Sequence, residues 1–424
     1  MKKISYYIPI IMMIVLFAMI SFVTGLPNPF GVILKNQFGA SNFMSQLGAA
    51  ANFIAYFFMG LPAGLLLQKI GYKKTALIAI VVGFIGVSTQ FLSGQVGSFS
   101  VYILGAFISG FSMCMLNTVV NPMLNTLGGG GKKGNQLIQI GGTFNSLSAT
   151  IVPILLGYLM GNASTASIED ANPALFIAMG IFAFVFIVLY ITKIPEPYTQ
   201  TSDISKKDKF GPMSFRHFIL GAIAIFVYVG IEVGIPNIMN IFVTSPVSEG
   251  GLEMPTIVGG AFVSTYFLLM LVGRFIGASL GARFTSKVMI STVSILGIAF
   301  IAIACTLPLS IQVNIPIINQ NLSLHFIEAP ISILFFILCG LCTSVMWGGI
   351  FNLAVEGLGK YTSKASGIFM LMVCGGGVLP LVQGYISDML GFIASYWVIF
   401  CGFIYILFYA LWGSKNINND IITK

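Results

Sequence analysis

The polar side chains inside the long apolar segments of this chain are the residues that could do chemistry. Glu232 falls near the centre of such a segment, where a carboxylate is costly and marks a functional site by default. It could carry a coupling ion, H⁺ or Na⁺, contact a substrate directly, or form a structural ion pair. Amides and aromatic rings can bind hydroxyl groups and apolar ring faces, although intramembrane amides often only hold helices together. The candidate substrate-binding residues are Asn28, Asn117, Gln139, Asn145, Tyr228, Glu232, Asn237 and Trp347.

Two further charged residues suggest a gate. Arg274 is the one basic side chain well inside an apolar segment, about six residues before its end near Leu280. Its long stem can snorkel toward the nearer membrane surface, where Glu356 is the expected partner. We interpret Arg274 and Glu356 as a gating pair.

Two polar residues of a later apolar segment have different expected roles. Asp388, near the end of that segment, is expected to be a solvated boundary charge. Gln383, deeper in the segment, belongs with the substrate-binding candidates.

The elements that must position these residues are membrane-spanning helices. The chain has 424 residues, of which 57% are hydrophobic and 8% charged, whereas soluble domains carry about 25% charged residues. A helix needs roughly 20 apolar residues to cross the hydrocarbon core. The sequence predicts twelve spans near 7–35, 43–68, 75–95, 99–126, 135–160, 173–193, 215–244, 256–282, 287–310, 330–357, 363–389 and 392–413.

The distribution of Lys and Arg predicts the orientation. Short cytoplasmic loops are enriched in basic residues, and placing both termini in the cytoplasm puts 18 of the 20 basic residues on that side. The net charge of +8 therefore reflects membrane topology, and no compact basic domain is present to bind nucleic acid. We expect a multi-pass protein of the lipid bilayer without a nucleic-acid partner.

An internal duplication organises the twelve spans. Gly25-Leu26-Pro27-Asn28 recurs 209 positions later as Gly234-Ile235-Pro236-Asn237, and Gly60-x-x-x-Gly64 recurs as Gly273-x-x-x-Gly277. Duplicated membrane bundles place their binding site where the two halves meet, and Gly-x-x-x-Gly pairs let helices approach closely. The predicted units are an N-terminal six-helix bundle at 1–194, a charged cytoplasmic linker at 195–214, and a C-terminal six-helix bundle at 215–424.

Motifs for other kinds of chemistry are missing from the sequence. Cys339-x-x-Cys342 has no neighbouring His or second Cys pair, which favours buried packing residues over a metal site. HExxH and GxSxG motifs are absent, and the glycine-rich run before Lys132 lacks the Ser or Thr of a phosphate loop. We expect no enzyme activity, no metal and no cofactor beyond a coupling ion. A sensor or receptor would be expected to carry an appended soluble domain.

Several motifs together resemble the fucose/proton symporter family, with its glucose/galactose transporters, within the major facilitator superfamily. The resemblance rests on residues 56–74 (YFFMGLPAGLLLQKIGYKK), Asn121-Pro122, Phe144-Asn145-Ser146, Tyr228-Val229-Gly230, Gly273-Arg274-Phe275-Ile276-Gly277, Glu356-Gly357-Leu358-Gly359 and Gly375-Gly376-Gly377. It implies an all-α fold of two pseudo-symmetric six-helix bundles. It also implies ion-coupled uptake of a monosaccharide (a hexose, deoxyhexose or amino sugar) by alternating access, by a monomer in a bacterial cytoplasmic membrane.

The resemblance also assigns individual residues. It implies that Asn145 and Trp347 contact the sugar. Asn28 and Asn117 stand where the fucose symporter keeps acidic residues for proton coupling, and the family's Gln before Phe-Asn-Ser matches Gly142, with Gln139 one turn earlier. Amides do not titrate near neutral pH, so H⁺ coupling by that scheme is doubtful and Na⁺ gains some support. A sugar uniporter or exporter of the same fold is the alternative.

Overall fold

The structure is a computed structural model. It describes residues 7–26, 33, 39–127, 131–160, 168–194, 211–280, 284–318, 323–358 and 361–417, with some side chains inside these ranges left undescribed. The first half contains α1 (Tyr7–Gly25), α2 (Asn42–Ser45), α3 (Leu47–Ile70), α4 (Tyr72–Val96), α5 (Phe99–Leu127), α6 (Gly131–Met160) and α7 (Asn172–Ile191).

The second half repeats this pattern with more interruptions. Its helices are α8 (Arg216–Thr244), α9 (Thr256–Leu280), α10 (Ser286–Thr306), α11 (Ile331–Thr343), α12 (Met346–Val355), α13 (Thr362–Met372), α14 (Gly375–Leu390) and α15 (Phe392–Phe408), which continues as a π-helical turn, Tyr409–Gly413.

A long helix or a pair of helices occupies each of the twelve predicted spans. Eleven stretches of the described residues are long and apolar enough to cross a membrane. The remaining span is the 30-residue α6, whose first turns carry polar residues. Helices break inside the second, tenth and eleventh spans, the last two between Thr343 and Met346 and between Met372 and Gly375. Glycines with positive φ end three helices, Gly71 (φ 82°) after α3, Gly97 (φ 64°) after α4 and Gly391 (φ 91°) after α14, where a side chain would strain the turn.

A β-hairpin between α10 and α11 was not predicted. Strands β1 (Gln312–Ile318) and β2 (Leu324–Pro330) pair antiparallel, with Gln312 opposite Pro330 and Ile318 opposite Leu324. The alternation of apolar and other residues in Gln312-Val313-Asn314-Ile315-Pro316-Ile317 is a period-2 signal that is typical of a strand. Ile315 and Ile317 are buried, and the hairpin packs on α9 and α11.

The two halves meet along two pairs of membrane spans. In one pair α6 packs against α9. In the other, α3 packs against α13 and α14, which together form the eleventh span. We call the end of the bundle that carries α2, the β-hairpin and the last turns of α8 and α14 the hairpin end. The side of the membrane that this end faces stays a prediction, as do the domain boundaries, because residues 195–210 of the linker lie outside the described part.

The repeated Gly-x-x-x-Gly motif has different surroundings in the two halves. A Cβ on Gly273 of α9 would collide with the Ser344 side chain, which lies in the break between α11 and α12. A Cβ on Gly60 of α3 would lie 3.2 Å from the backbone nitrogen of Leu371 in α13, across the boundary between the halves. A Cβ on Gly64 would meet nothing within 4 Å. The first glycine of each pair therefore permits a close helix contact.

Candidate functional site

A carboxylate and a guanidinium form an ion pair in the middle of the bundle. Glu232 lies sixteen residues from the start and twelve from the end of the 29-residue α8. Its Oε1 is 3.8 Å from Nη2 of Arg274 on α9, and the side chains are 20% and 17% exposed, respectively. The two charges compensate each other, which offsets part of the cost of removing both from water. The remaining exposure leaves them reachable by a polar ligand.

Arg274 also connects the two halves of the molecule. Its Nη1 donates a 2.7 Å hydrogen bond to the backbone carbonyl of Gly142 on α6. A Cβ on Gly142 would lie 3.6 Å from the same nitrogen, so the guanidinium sits directly over this glycine. The resemblance described above matches a Gln of that family to Gly142. In this chain the guanidinium of Arg274, from the other half, lies at that position.

The expected partner of Arg274 was wrong. Arg274 pairs with Glu232, whereas the Glu356 side chain is exposed and its backbone carbonyl lies 2.9 Å from Nε2 of His217. The guanidinium is held inside the bundle instead of snorkelling, because the Glu232 carboxylate and the Gly142 carbonyl satisfy it there. A gating role for Arg274 or Glu356 stays a prediction.

Aromatic side chains surround the ion pair. Tyr228, one turn before Glu232 on α8, is fully buried, and its hydroxyl has no hydrogen-bond partner among the described residues. Its ring centroid is 6.2 Å from that of Trp347, a half-buried residue in the first turn of α12. The Tyr266 hydroxyl of α9 hydrogen-bonds the Glu232 carbonyl at 3.4 Å and lies 3.0 Å from Thr343 Oγ1. The structure therefore brings Tyr228, Glu232 and Trp347 together, as a common site requires.

Two candidate amides of the first half are half-buried and hydrogen-bonded within that half. Asn145 Nδ2 on α6 donates to the carbonyl of Phe17 at 2.9 Å, and Asn117 Nδ2 on α5 donates to the Tyr56 hydroxyl at 2.9 Å. Asn145 follows Gly142 by three residues, so it lies within one helical turn of the Arg274 contact. Both amides hold helices together in this conformation, and a role in substrate binding stays a prediction.

Two other candidates cannot be placed. Asn28 lies outside the described residues, and the side chain of Gln139 is not described although its backbone belongs to α6. Among the described residues, no group of three or more His, Cys, Asp or Glu side chains could hold a metal ion.

Asn237 lies away from the ion pair, in a contact between the halves at the hairpin end. Its Nδ2 donates a 3.0 Å hydrogen bond to Gln46 Oε1, and both side chains are buried. Beside them, the Asp388 carboxylate accepts hydrogen bonds from the backbone nitrogens of Asn42 at 2.8 Å and Phe43 at 2.9 Å. Asp388 is exposed, as expected of a boundary charge, and its carboxylate in addition binds the N–H groups at the start of α2, which the helix itself leaves without a carbonyl partner.

The residues that sequence reasoning missed act through contacts between distant segments. The carbonyl of Gly142 and the backbone N–H groups of Asn42 and Phe43 have no side-chain signature. The start of α2 does have a sequence signal, because Ser41 is a typical N-cap residue and its Oγ accepts a hydrogen bond from Met44 N. The N–H groups at such a helix start, which have no partner within the helix, are the partners of Asp388. The candidate site combines an ion pair with aromatic rings at a junction of the two halves.

This fold and site are those of a membrane transporter built from two helical bundles. Residues 12–379 match the Major Facilitator Superfamily, and the chain belongs to that family. The predicted fold is confirmed, and the family consists of transporters rather than enzymes.

Curated relatives span almost the whole chain. A protein named glucose/galactose transporter from Brucella abortus is 30% identical over 407 residues, which are 95% of this chain and 93% of the relative. A putative glucose/galactose transporter from Helicobacter pylori is 28% identical over 99% of this chain and its own full length. An L-fucose-proton symporter from Escherichia coli is 22% identical over 91% of this chain and 88% of the relative. The predicted relationship to this branch of the family is confirmed.

Solved structures show the same fold. The transporter FucP in the outward conformation has a TM-score of 0.70 at 20% identity, covering 97% of this chain and 100% of that one. A bacterial homologue of the human lysosomal transporter Spinster, inward-facing and unoccupied, has a TM-score of 0.63 at 12% identity, covering 98% and 97%. At these identities, the likeness establishes the arrangement of helices and nothing about the substrate.

Proposed function

We propose that this protein is a secondary active transporter that moves a monosaccharide across a bacterial cytoplasmic membrane by alternating access. The observation that carries the proposal is the Glu232–Arg274 pair, which lies mid-membrane and reaches Gly142 in the other half. A residue that bridges the halves changes its contacts whenever they rock against each other. Binding at this point can therefore be coupled to the conformational change.

The surroundings of the pair suit a sugar of the hexose, deoxyhexose or amino sugar class. Trp347, half-buried beside the fully buried Tyr228, offers an aromatic face for the apolar side of a pyranose ring. Charged groups and amides, with Asn145 near the Arg274 contact, match its hydroxyls. Relatives named for glucose, galactose and L-fucose transport support the same substrate class.

Glu232 is the proposed coupling residue for symport with H⁺ or Na⁺. As a carboxylate it attracts the Arg274 guanidinium, and protonation or Na⁺ binding weakens that attraction and frees Arg274 from its bridge to α6. A relative named as a proton symporter favours H⁺, whereas the amides Asn28 and Asn117 at the family's acidic positions favour a different scheme, including Na⁺. Arg274, and Glu356 near the end of α12, are the proposed gating residues.

The orientation follows from charge. We place both termini and the basic loops in the cytoplasm, so the hairpin end faces outward. The functional unit is a monomer with bundles at 1–194 and 215–424 joined by the linker at 195–214.

The test is transport by the purified protein in proteoliposomes. D-glucose, D-galactose, L-fucose and N-acetylglucosamine, each radiolabelled, are offered with Na⁺ and H⁺ gradients imposed independently. We expect at least one sugar to accumulate above its external concentration with one gradient and to equilibrate without it. Failure of all four sugars to enter or bind would reject the proposed substrate class.

The alternative is a sugar uniporter or exporter of the same fold. A uniporter equilibrates the sugar in every gradient condition and never concentrates it. An exporter moves preloaded sugar out of right-side-out vesicles when the ion gradient is directed inward. Accumulation driven by an inward gradient excludes both.

A further inference from the structure

Gln383 is a buried amide whose hydrogen-bonding groups are unused. It lies on α14 with no exposed surface, and neither Oε1 nor Nε2 has a hydrogen-bond partner among the described residues. Its Oε1 lies so close to Gly234 of α8 that a Cβ there would collide with it. The glycine makes room for the amide, although the amide forms no hydrogen bond within the described part of the chain.

Asn237 lies one turn beyond Gly234 on the same helix, and only one of the two polar atoms of its amide forms a hydrogen bond among the described residues. Its Nδ2 donates to Gln46 Oε1, while its Oδ1 is buried without a partner. We call Gln46, Asn237 and Gln383 the amide cluster. Three of its polar atoms, two on Gln383 and one on Asn237, are thus buried and unsatisfied, which is costly inside a protein.

A purely structural role does not account for this arrangement. Intramembrane amides that hold helices together do so by hydrogen-bonding to them, and Gln383 forms no such bond to any residue that the structure describes. An apolar side chain of similar size would pack at this position without the penalty of burying two polar atoms. The amide therefore acts in a conformation other than that of this structure, in which the hairpin end is closed.

The location identifies that conformation. Gln46 comes from the first half, and Asn237 and Gln383 from the second. Beside them, the Asp388 carboxylate holds the start of α2, and a Cβ on Gly384 would lie 2.9 Å from the carbonyl of Asn42. Opening the hairpin end separates Gln46 from Asn237. It then exposes two carboxamides, each with a donor and an acceptor, which is the combination that matches neighbouring hydroxyls.

We propose that Gln383 and Asn237 form a second sugar-binding subsite, covered by Gln46 when the hairpin end is closed. Asn237 follows Glu232 by five residues, which places the subsite roughly 7.5 Å along α8 from the ion pair, toward the hairpin end. A sugar contacts it before or while it reaches Glu232 and Arg274. The inference rests on the proposed function, because the ligand of this subsite is the transported sugar.

The test measures binding of a sugar and its deoxy derivatives to Gln383→Met. Methionine keeps the length of the side chain and removes both polar groups. D-glucose and its 2-, 3-, 4- and 6-deoxy derivatives, or the same series of whichever sugar binds, are titrated into wild type and variant by calorimetry. We expect the variant to bind the parent sugar on the order of five- to tenfold more weakly. The deoxy derivative that lacks the contacted hydroxyl should lose no further affinity in the variant.

Gln90→Met is the matched control, since Gln90 is an equally buried amide on α4 whose Nε2 donates to Ser109 Oγ. It should leave the affinity for every sugar unchanged. Equal weakening of all derivatives by Gln383→Met, or none, would overturn the subsite. A wild-type protein that binds none of the sugars would instead reject the proposed function.

A second variant keeps the inference testable if Gln383→Met does not fold. Gln46→Met removes the acceptor that competes with the sugar for the Nδ2 of Asn237. The closed state then loses this hydrogen bond, and Asn237 can bind the sugar without first breaking it. We expect severalfold tighter sugar binding. Unchanged or weaker binding would contradict the idea that Gln46 covers the subsite.

Discussion

At the scale of single residues, the site depends on one pair of charges. Removing one partner of a buried ion pair typically costs about 3–5 kcal/mol, because the other charge is left uncompensated. Glu232 and Arg274 retain some contact with solvent, so the cost here lies toward the lower end. The guanidinium also holds Gly142, and a change at Glu232 therefore affects a contact between the halves.

Replacing Glu232 with Gln should uncouple transport from the ion gradient. Glutamine keeps the shape and can still bind a hydroxyl, but it cannot take up a proton or neutralise a cation. We expect sugar to equilibrate across proteoliposomes without accumulating, and the ion dependence to disappear. Glu328→Gln, which alters an exposed carboxylate in the β-hairpin, should transport like wild type. Gradient-driven accumulation by Glu232→Gln would remove this residue as the coupling group.

Replacing Trp347 with Leu should weaken sugar binding about fivefold, since an aromatic platform is worth about 1 kcal/mol beyond its area. The measurement is the dissociation constant of the transported sugar by calorimetry. Trp397→Leu is the control, because Trp397 is 43% exposed on α15 and packs on Phe400. Equal affinities for both variants would show that Trp347 is only a packing residue.

At the scale of elements, breaks in helices position the site. Trp347 follows directly on the interruption between α11 and α12, and Gly273 of α9 lies against Ser344 in that interruption. Arg274 is the next residue on α9. The packing of one glycine against one helix break therefore sets the distance between the charged and aromatic parts of the site.

Replacing Gly273 with Ala should destabilise the protein by about 1–3 kcal/mol through overpacking. The new Cβ would meet Ser344 and lie 3.2 Å from the carbonyl of Leu341. Gly64→Ala is the control from the first half, where the Cβ has open space and alanine favours the helix. Thermal unfolding of purified protein should show a lower midpoint for Gly273→Ala than for Gly64→Ala. Similar midpoints would mean that the break moves to accommodate the methyl group.

At the scale of the whole molecule, the two halves are joined at the hairpin end. Asp388 of α14 holds the first residues of α2, and Asn237 of α8 holds Gln46. Charge-assisted hydrogen bonds to backbone N–H groups are about twice as strong as neutral ones. This end must nevertheless open if the protein exchanges its cargo there.

Cross-linking Asn42→Cys to Asp388→Cys should stop transport. The pair is introduced on a background in which the six native cysteines are replaced by serine, and a short bis-methanethiosulfonate reagent joins them. We expect uptake to cease and to recover on reduction, while each single-cysteine protein keeps working after the same treatment. Uptake that continues in fully cross-linked protein would show that this contact never opens during transport.

Much of this fold could be predicted from its sequence, because the lipid interior restricts a membrane-spanning backbone to very few kinds of secondary structure. Long apolar runs must become helices, and a duplication of 209 residues leaves a second bundle as the simplest result. Glu232 could be singled out as a candidate from the sequence, since a carboxylate in such a run is costly, and its functional role stays a prediction. The β-hairpin was missed because its apolar alternation is short and lies outside the membrane spans.

Only the tertiary structure decided which groups are partners. The sequence paired Arg274 with Glu356, whereas the fold pairs Arg274 with Glu232. Asp388 is exposed as predicted, but only the fold shows that its carboxylate binds the start of α2. Composition and periodicity specify the helices because each helix satisfies its own backbone in lipid. The partner of a polar side chain depends on how helices from distant parts of the chain are brought together, and no local pattern encodes that.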